Sequence, residues 1–226
     1  NILKKILQRP CNFHKNKYNF SYKENAYFCT SISIMDFERD FMKVKPTGVP
    51  LESGVMLIST PFFNDTFFNH SVVLLLETGQ EGSVGLILNK RTGVNVTDVK
   101  PTWKIPDQFD VGGPVMLDTI ITLHNFEDLD RFRLVMPGLY SGIDHVLLSL
   151  IEHQAISTLK YRFFLGYSGW SAGQLEEELE HSMWVVSPYI PSLVLDAPIE
   201  KIWQSAVKNL GPNYRHWLDI QENIVF

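Results

Sequence analysis

A serine framed by glycines and aromatic residues, Gly166-Tyr167-Ser168-Gly169-Trp170, is the first place in this chain to look for chemistry. A serine at a tight strand-to-helix turn is the setting of a hydrolytic nucleophile, which a Gly-x-Ser-x-Gly elbow exposes. Here Trp170 stands where the elbow needs its last glycine, so that match fails. Ser168, His124 and Asp118 can be written down as a triad, but their order is unlike that of the α/β-hydrolases. The histidines His70, His124, His145, His153, His181 and His216 include no i,i+4 helical pair, and no His-Glu-x-x-His occurs. His124 and Glu127 could share a metal only on a helix, and His124 ends a predicted strand. No metal ligand, cofactor or catalytic residue is therefore assigned.

Two glycine-bearing stretches, Gly82-Ser83-Val84-Gly85 and Gly112-Gly113-Pro114, match neither a Walker A loop nor a dinucleotide fingerprint. The first falls at a predicted hairpin, where glycine serves the turn. The second carries a proline that fixes the exit from a strand. Asn89-Lys90-Arg91 is the one dense basic group near these loops. A small anionic ligand would be held by Asn89 and Lys90 with Gly112 and Gly113. His124 and Ser168 complete the candidate ligand-binding set.

The elements that must position these residues follow from hydrophobic periodicity. Val55–Ser59 is a predicted strand. Ser71–Glu77 and Val84–Leu88 form a predicted hairpin across Gly79-Gln80-Glu81-Gly82, both strands continuously apolar, as for strands covered on two faces. Phe109–Val111, Thr119–His124 and Arg133–Pro137 are further strands. A helix runs from Gly142-Ile143-Asp144 to Gln154. Residues 160–167 form an aromatic-rich strand, followed by a helix over 171–182 and a strand over 183–187. Ser171 and Gln174 spell a capping box for that helix, with Trp170 and Leu175 placed as a hydrophobic staple. Pro198–Leu210 is a helix stopped by Gly211-Pro212. The tail, Pro212 to Phe226, is expected to pack on the surface with Trp217. Asp36–Lys45 is a short predicted helix. Strands and helices do not alternate strictly, which points to a mixed α+β class.

Several blocks in order carry a resemblance. They are Gly54-Val55-Met56-Leu57-Ile58-Ser59-Thr60-Pro61, Ser71-Val72-Val73-Leu74-Leu75, Glu81 through Lys90, Val111-Gly112-Gly113-Pro114-Val115 with Leu123-His124, and Gly166 through Leu179, closed by Trp184 and Trp203. On these the chain resembles the AlgH/YqgE family of bacterial proteins from about Gly54 to Gly211. The resemblance implies a single α+β domain whose core is a small closed β-barrel or mixed sheet surrounded by helices, in a cytoplasmic protein. The family is labelled a transcriptional regulator, and its biochemical activity is left open.

With 226 residues, 45% of them hydrophobic, the chain can bury one sizeable core. No apolar run reaches the length of a membrane span. Cys11 and Cys29 both precede Met35, so the domain has no thiol for a disulfide, a metal or covalent catalysis. The first 34 residues differ from the rest: Asn, Lys, Ile, Phe and Tyr fill 20 of them, and six Lys/Arg against one Glu give +5. From Met35 onward, 14 Lys/Arg against 24 Asp/Glu give −10, and the two parts sum to −5. Residues 1–34 are accordingly expected to be an extension, either upstream sequence read in frame or a misassigned start. The alternative is a targeting peptide, for which serine and arginine are too sparse. Residues 35–226 then form the family domain. Its acidity argues against direct contact with nucleic acid. The expected function is a non-catalytic binding or regulatory module acting through a protein partner or a small ligand. The alternative is an enzyme of unassigned class with a polar site near Asn89, Gly112, His124 and Ser168. Convergence of those residues on one pocket favours the enzyme, and dispersal favours the module.

Overall fold

The computed structural model describes residues 44, 47–63, 65 and 67–220. All of them lie in the second of the chain's two units, Val44–Phe226. The expected boundary at residue 34 and the helix expected over Asp36–Lys45 lie outside the described residues, apart from Val44, which is in no regular element.

The chain runs through β1 (Met56–Ser59), β2 (Val72–Gly79), β3 (Gly82–Ile87), β4 (Arg91–Asn95), a short α1 (Val96–Val99), β5 (Gln108–Val111), β6 (Val115–His124), β7 (Arg133–Met136) and β8 (Leu139–Ser141). It continues with α2 (His145–Glu152), β9 (Tyr161–Ser171), α3 (Gln174–Glu180), β10 (Trp184–Ser187), α4 (Pro191–Leu195) and α5 (Ile202–Asn209). A 3-10 turn, Ile199–Lys201, precedes α5, and a 3-10 segment, Pro212–Asp219, follows it. The strands form one sheet in the order β10-β1-β2-β3-β9-β6-β8-β7, with β5 joining β4 to β9. The β5–β9 pair is parallel and the other ladders are antiparallel.

The closed barrel is a correction: the sheet is open. Among the described residues, β10 pairs only with β1, and β7 only with β8. The sheet curls far enough for Arg133 of β7 to reach Glu77 and, at 3.1 Å, the carbonyl of Leu76 in β2. That contact is made by a side chain, and no ladder of backbone hydrogen bonds joins the two strands. Closure requires such a ladder all the way round.

Side-chain parity explains the continuously apolar strands. Met56, Ile58, Val72, Leu74, Leu86 and Val185 face one core, with Trp203 and Ala206 of α5. Their neighbours Leu57, Val73, Leu75, Ile87, Trp184 and Val186 face a second core, with Leu175 of α3. Successive residues of a strand point to opposite faces, and here both faces are covered. A third core lies beside the β5–β9–β6 part of the sheet, with Phe163, Leu147 and Ile151. The helix expected from Gly142-Ile143-Asp144 is α2, and the Asp144 carboxylate caps it by accepting from the amide of Leu147 at 2.8 Å.

β9 links all three cores because its parity shifts at Gly166. Phe164 and Tyr167 belong to the first core, Phe163 and Leu165 to the third, and Trp170 to the second. Gly166 has φ +66°, and a Cβ there would meet the carbonyl oxygens of Gly113 and Val115 at 2.7 Å. A single residue in this conformation turns every later side chain to the other face. The strand therefore ends at Ser171 rather than 167, and α3 starts at Gln174 with Gly173 as its N-cap. Ser171 is thus not the N-cap. Half of the expected box survives, since the Gln174 side chain accepts from the Ser171 amide at 3.1 Å. The tail is another correction: Tyr214 and Trp217 are buried in the first core, not laid on the surface.

Candidate functional site

Asn89, just beyond β3, spends its amide on backbone. Its Oδ1 accepts from Val72 N at 2.9 Å and its Nδ2 donates to the His70 carbonyl at 2.7 Å, which fastens the start of β2. The Lys90 carbonyl accepts from Val111 N at 2.8 Å, and the residue is half-buried. Gly112 donates to the Leu165 carbonyl at 2.8 Å and accepts from Ile87 N at 2.9 Å. Glycine is required there because a Cβ would lie 2.0 Å from the Gly166 oxygen. At Gly113 a Cβ would lie 2.3 Å from Ser168 N. Ser168 is fully buried, and its hydroxyl donates to the Gly112 carbonyl at 3.1 Å. The structure thus brings Gly112, Gly113 and Ser168 together, but as the close crossing of two strands.

His124 lies elsewhere. Its register partner on β9 is Tyr161, while Val115 at the other end of β6 faces Tyr167. Ser168 lies seven positions along the strand from Tyr161, or roughly 20 Å at about 3.3 Å per residue. Asp118 is exposed between them. The triad is not assembled. The His124 ring is fully buried, edge-on to Phe132 at 4.6 Å and stacked on Tyr140 at 6.1 Å. Nδ1 accepts from the Phe126 amide at 3.2 Å. Nε2 is buried without an aligned hydrogen-bond partner among the described residues. Burial holds the imidazole below its ordinary value, which favours the neutral ring.

The charged groups that do converge were not singled out by their spacing. Asp110 of β5 is 1% exposed, and Arg162 of β9 donates to its Oδ2 from Nε at 2.7 Å, with Nη2 at 2.6 Å. The same guanidinium reaches the Val194 carbonyl at 2.9 Å and the Leu88 carbonyl at 2.6 Å, and lies 4.8 Å over the Phe164 ring. Arg91, the cross-strand partner of Asp110, approaches Oδ1 to 3.0 Å. Burial pushes the Asp110 carboxyl up from the ordinary carboxylate value, against the pull of both arginines. The same burial pushes Arg162 down, though an arginine stays charged. Nearby, Tyr161 donates to Asp107 Oδ2 at 2.6 Å, and burial with that carboxylate pushes the phenol far above its usual range. The signal that could have found this cluster is an acid in the middle of one apolar strand and an arginine inside an aromatic one.

These groups line a cavity of about 540 Å³, walled by Arg91, Gln108, Asp110, Lys160, Tyr161 and Arg162 and by the connection from α4 into the following 3-10 turn. Among the described residues, no serine, threonine, cysteine or histidine lines it, and neither do Asn89, Lys90, Gly112, Gly113, His124 or Ser168.

Together the open, largely antiparallel sheet and this ion cluster define an α+β protein whose buried charges hold strands together. The AlgH-like family model matches residues 56–215, and the chain belongs to that bacterial family. It is similar to a UPF0301 protein of Bacteroides thetaiotaomicron, at 34% identity over 81% of this chain and 95% of that one. A UPF0301 protein of Chlorobaculum tepidum is 37% identical over 73% of this chain and 89% of that one. The solution structure of the AlgH protein from Pseudomonas aeruginosa aligns with a TM-score of 0.60 at 29% identity, covering 79% of this chain and 98% of that one. A crystal structure of a protein from Corynebacterium diphtheriae aligns at TM-score 0.66 and 22% identity, over 79% and 96%, and shares the fold. Among the described residues no helix is long and apolar enough to cross a membrane.

Proposed function

We propose that the chain is a cytoplasmic, non-catalytic binding module that regulates through a protein partner or a small ligand, without contacting DNA directly. One observation carries this reading. The Asn89 and Ser168 side chains are used on backbone, Gly112 and Gly113 pack against the backbone of β9, and His124 is roughly a strand's length from Ser168. Among the described residues, no serine, threonine, cysteine or histidine lines the polar cavity. The excess of 24 Asp/Glu over 14 Lys/Arg from Met35 onward opposes a phosphate backbone, which needs a basic face.

The test is to titrate the full chain into labelled duplex DNA at two salt concentrations, and to assay it against ester, peptide and phosphoester reporters. The expected result is no tight, salt-dependent binding and no turnover. Nanomolar duplex affinity that falls steeply with salt, or turnover abolished by Ser168→Ala or His124→Ala, overturns the reading.

A further inference from the structure

We propose that the cavity beside Asp110 binds a small organic anion, a carboxylate or a phosphate monoester with an apolar body, and that Arg91 grips its anionic head. This deepens the small-ligand reading above and rests on it.

One buried carboxylate faces two guanidinium groups, so the charges at this site are out of balance. Arg162 suffices for Asp110, with two nitrogens on Oδ2 and further donors held by the Val194 and Leu88 carbonyls. Its side chain is 11% exposed, so it is fixed in the wall. Arg91 differs in both respects. Its side chain is 54% exposed, and a single nitrogen, Nη1, approaches Asp110. It makes no hydrogen bond to any other residue among those described. The three side chains carry a net charge of +1, and an anion at Arg91 brings that to zero. A guanidinium fork with unused donors matches the paired oxygens of a carboxylate or phosphate.

The rest of the cavity narrows the ligand. Lys160 is a second cation at the rim, paired with Asp196, and both side chains are about half exposed. Such an exposed pair is weak and readily exchanged for a ligand. Asp107 and Glu200 also line the space, which confines the anionic head to the side of Arg91 and Lys160. Leu159, Phe163, Leu195, Ala197, Pro198 and Ile199 supply apolar wall for the body of the molecule. The volume of about 540 Å³ suits a small molecule, for which sites of about 300–1,000 Å³ are usual.

Phenyl phosphate and benzoate are the probes, titrated separately into the isotope-labelled full chain and followed by amide NMR and calorimetry. At least one probe is expected to shift the amides of Gln108, Lys160, Ala197 and Ile199 while leaving Ser171 and Leu175 in place. Whichever probe binds more tightly separates the phosphate class from the carboxylate class. Arg91→Gln is expected to weaken binding about tenfold or more, and Arg91→Lys to restore part of it. Thermal melts confirm that each variant is folded, and the wild-type shift map stands without them. Absence of cavity shifts with both probes, or unchanged affinity in a folded Arg91→Gln, overturns the assignment. Phenol released from phenyl phosphate leaves the site standing but refutes the non-catalytic reading. Failure to bind, without turnover, refutes only the site.

Discussion

Buried titratable side chains show, in two cases, how burial dominates electrostatics in this protein. His124 is held neutral by desolvation. Its folded-state value lies below its unfolded value of about 6.5. Above that value both states are neutral, and the group contributes nothing to pH dependence. As pH falls through it, the unfolded chain takes up a proton that the folded chain refuses, so stability declines. Urea denaturation at pH 7.5 and 5.5 should show a larger loss for the wild type than for His124→Phe; equal losses remove His124 as the source. Asp110 and Arg162 illustrate the second case. Removing one partner strands a buried charge, so Asp110→Ala should cost about 3–5 kcal/mol, while Asp110→Leu combined with Arg162→Met should recover most of that. Denaturant midpoints measure both, and a double variant no more stable than the single one contradicts the account. Asp110 and Arg162 were readable as residues, and each sits in a strand that periodicity identifies. Nothing in one dimension pairs positions 52 apart.

At the scale of elements, the glycine- and tryptophan-rich motif proves to be a junction. The Glu178 carboxylate of α3 accepts from Trp170 Nε1 at 2.8 Å and Trp184 Nε1 at 2.7 Å on one oxygen, and from Gln174 on the other at 3.0 Å. Those two indoles pack with Phe63 and Phe68 in an aromatic cluster. One helix is thereby clamped to two strands. Glu178→Ala leaves two buried indole donors without their acceptor, at about 1–3 kcal/mol each. A fall in unfolding free energy of at least that single-donor amount, with a shift in tryptophan fluorescence, is expected; an unchanged spectrum and stability would sink the clamp. The capping chemistry of Ser171 and Gln174 was legible, yet the helix begins three residues later than 171. The extended run persists because Trp170 pairs with Ser83 and Ser171 with Gly82 in β3, a ladder set by tertiary contact.

On the scale of the whole molecule, the C-terminal segment closes the principal core. Tyr214 and Trp217 pack edge-to-face at 5.0 Å beside α5, whose Trp203 also donates to the Ser59 carbonyl at 3.1 Å. Trp217→Ala should cost about 3–5 kcal/mol, as large aromatic truncations in cores do. A calorimetric melt checks this, and a change below about 1 kcal/mol would return the tail to the surface. By itself the sequence determined the family, the α+β class and most strands. These depend on local signals: alternating or continuous apolar runs, turn glycines and caps act over a few residues. The tertiary structure decided that the sheet stays open, that Ser168 supports a strand crossing and that Tyr214 and Trp217 are core. It also decided that the charged cavity belongs to Arg91, Asp110 and Arg162. Closure, burial and ion pairing arise between segments far apart in the chain, where the strength of a contact is set by geometry and desolvation that periodicity does not encode.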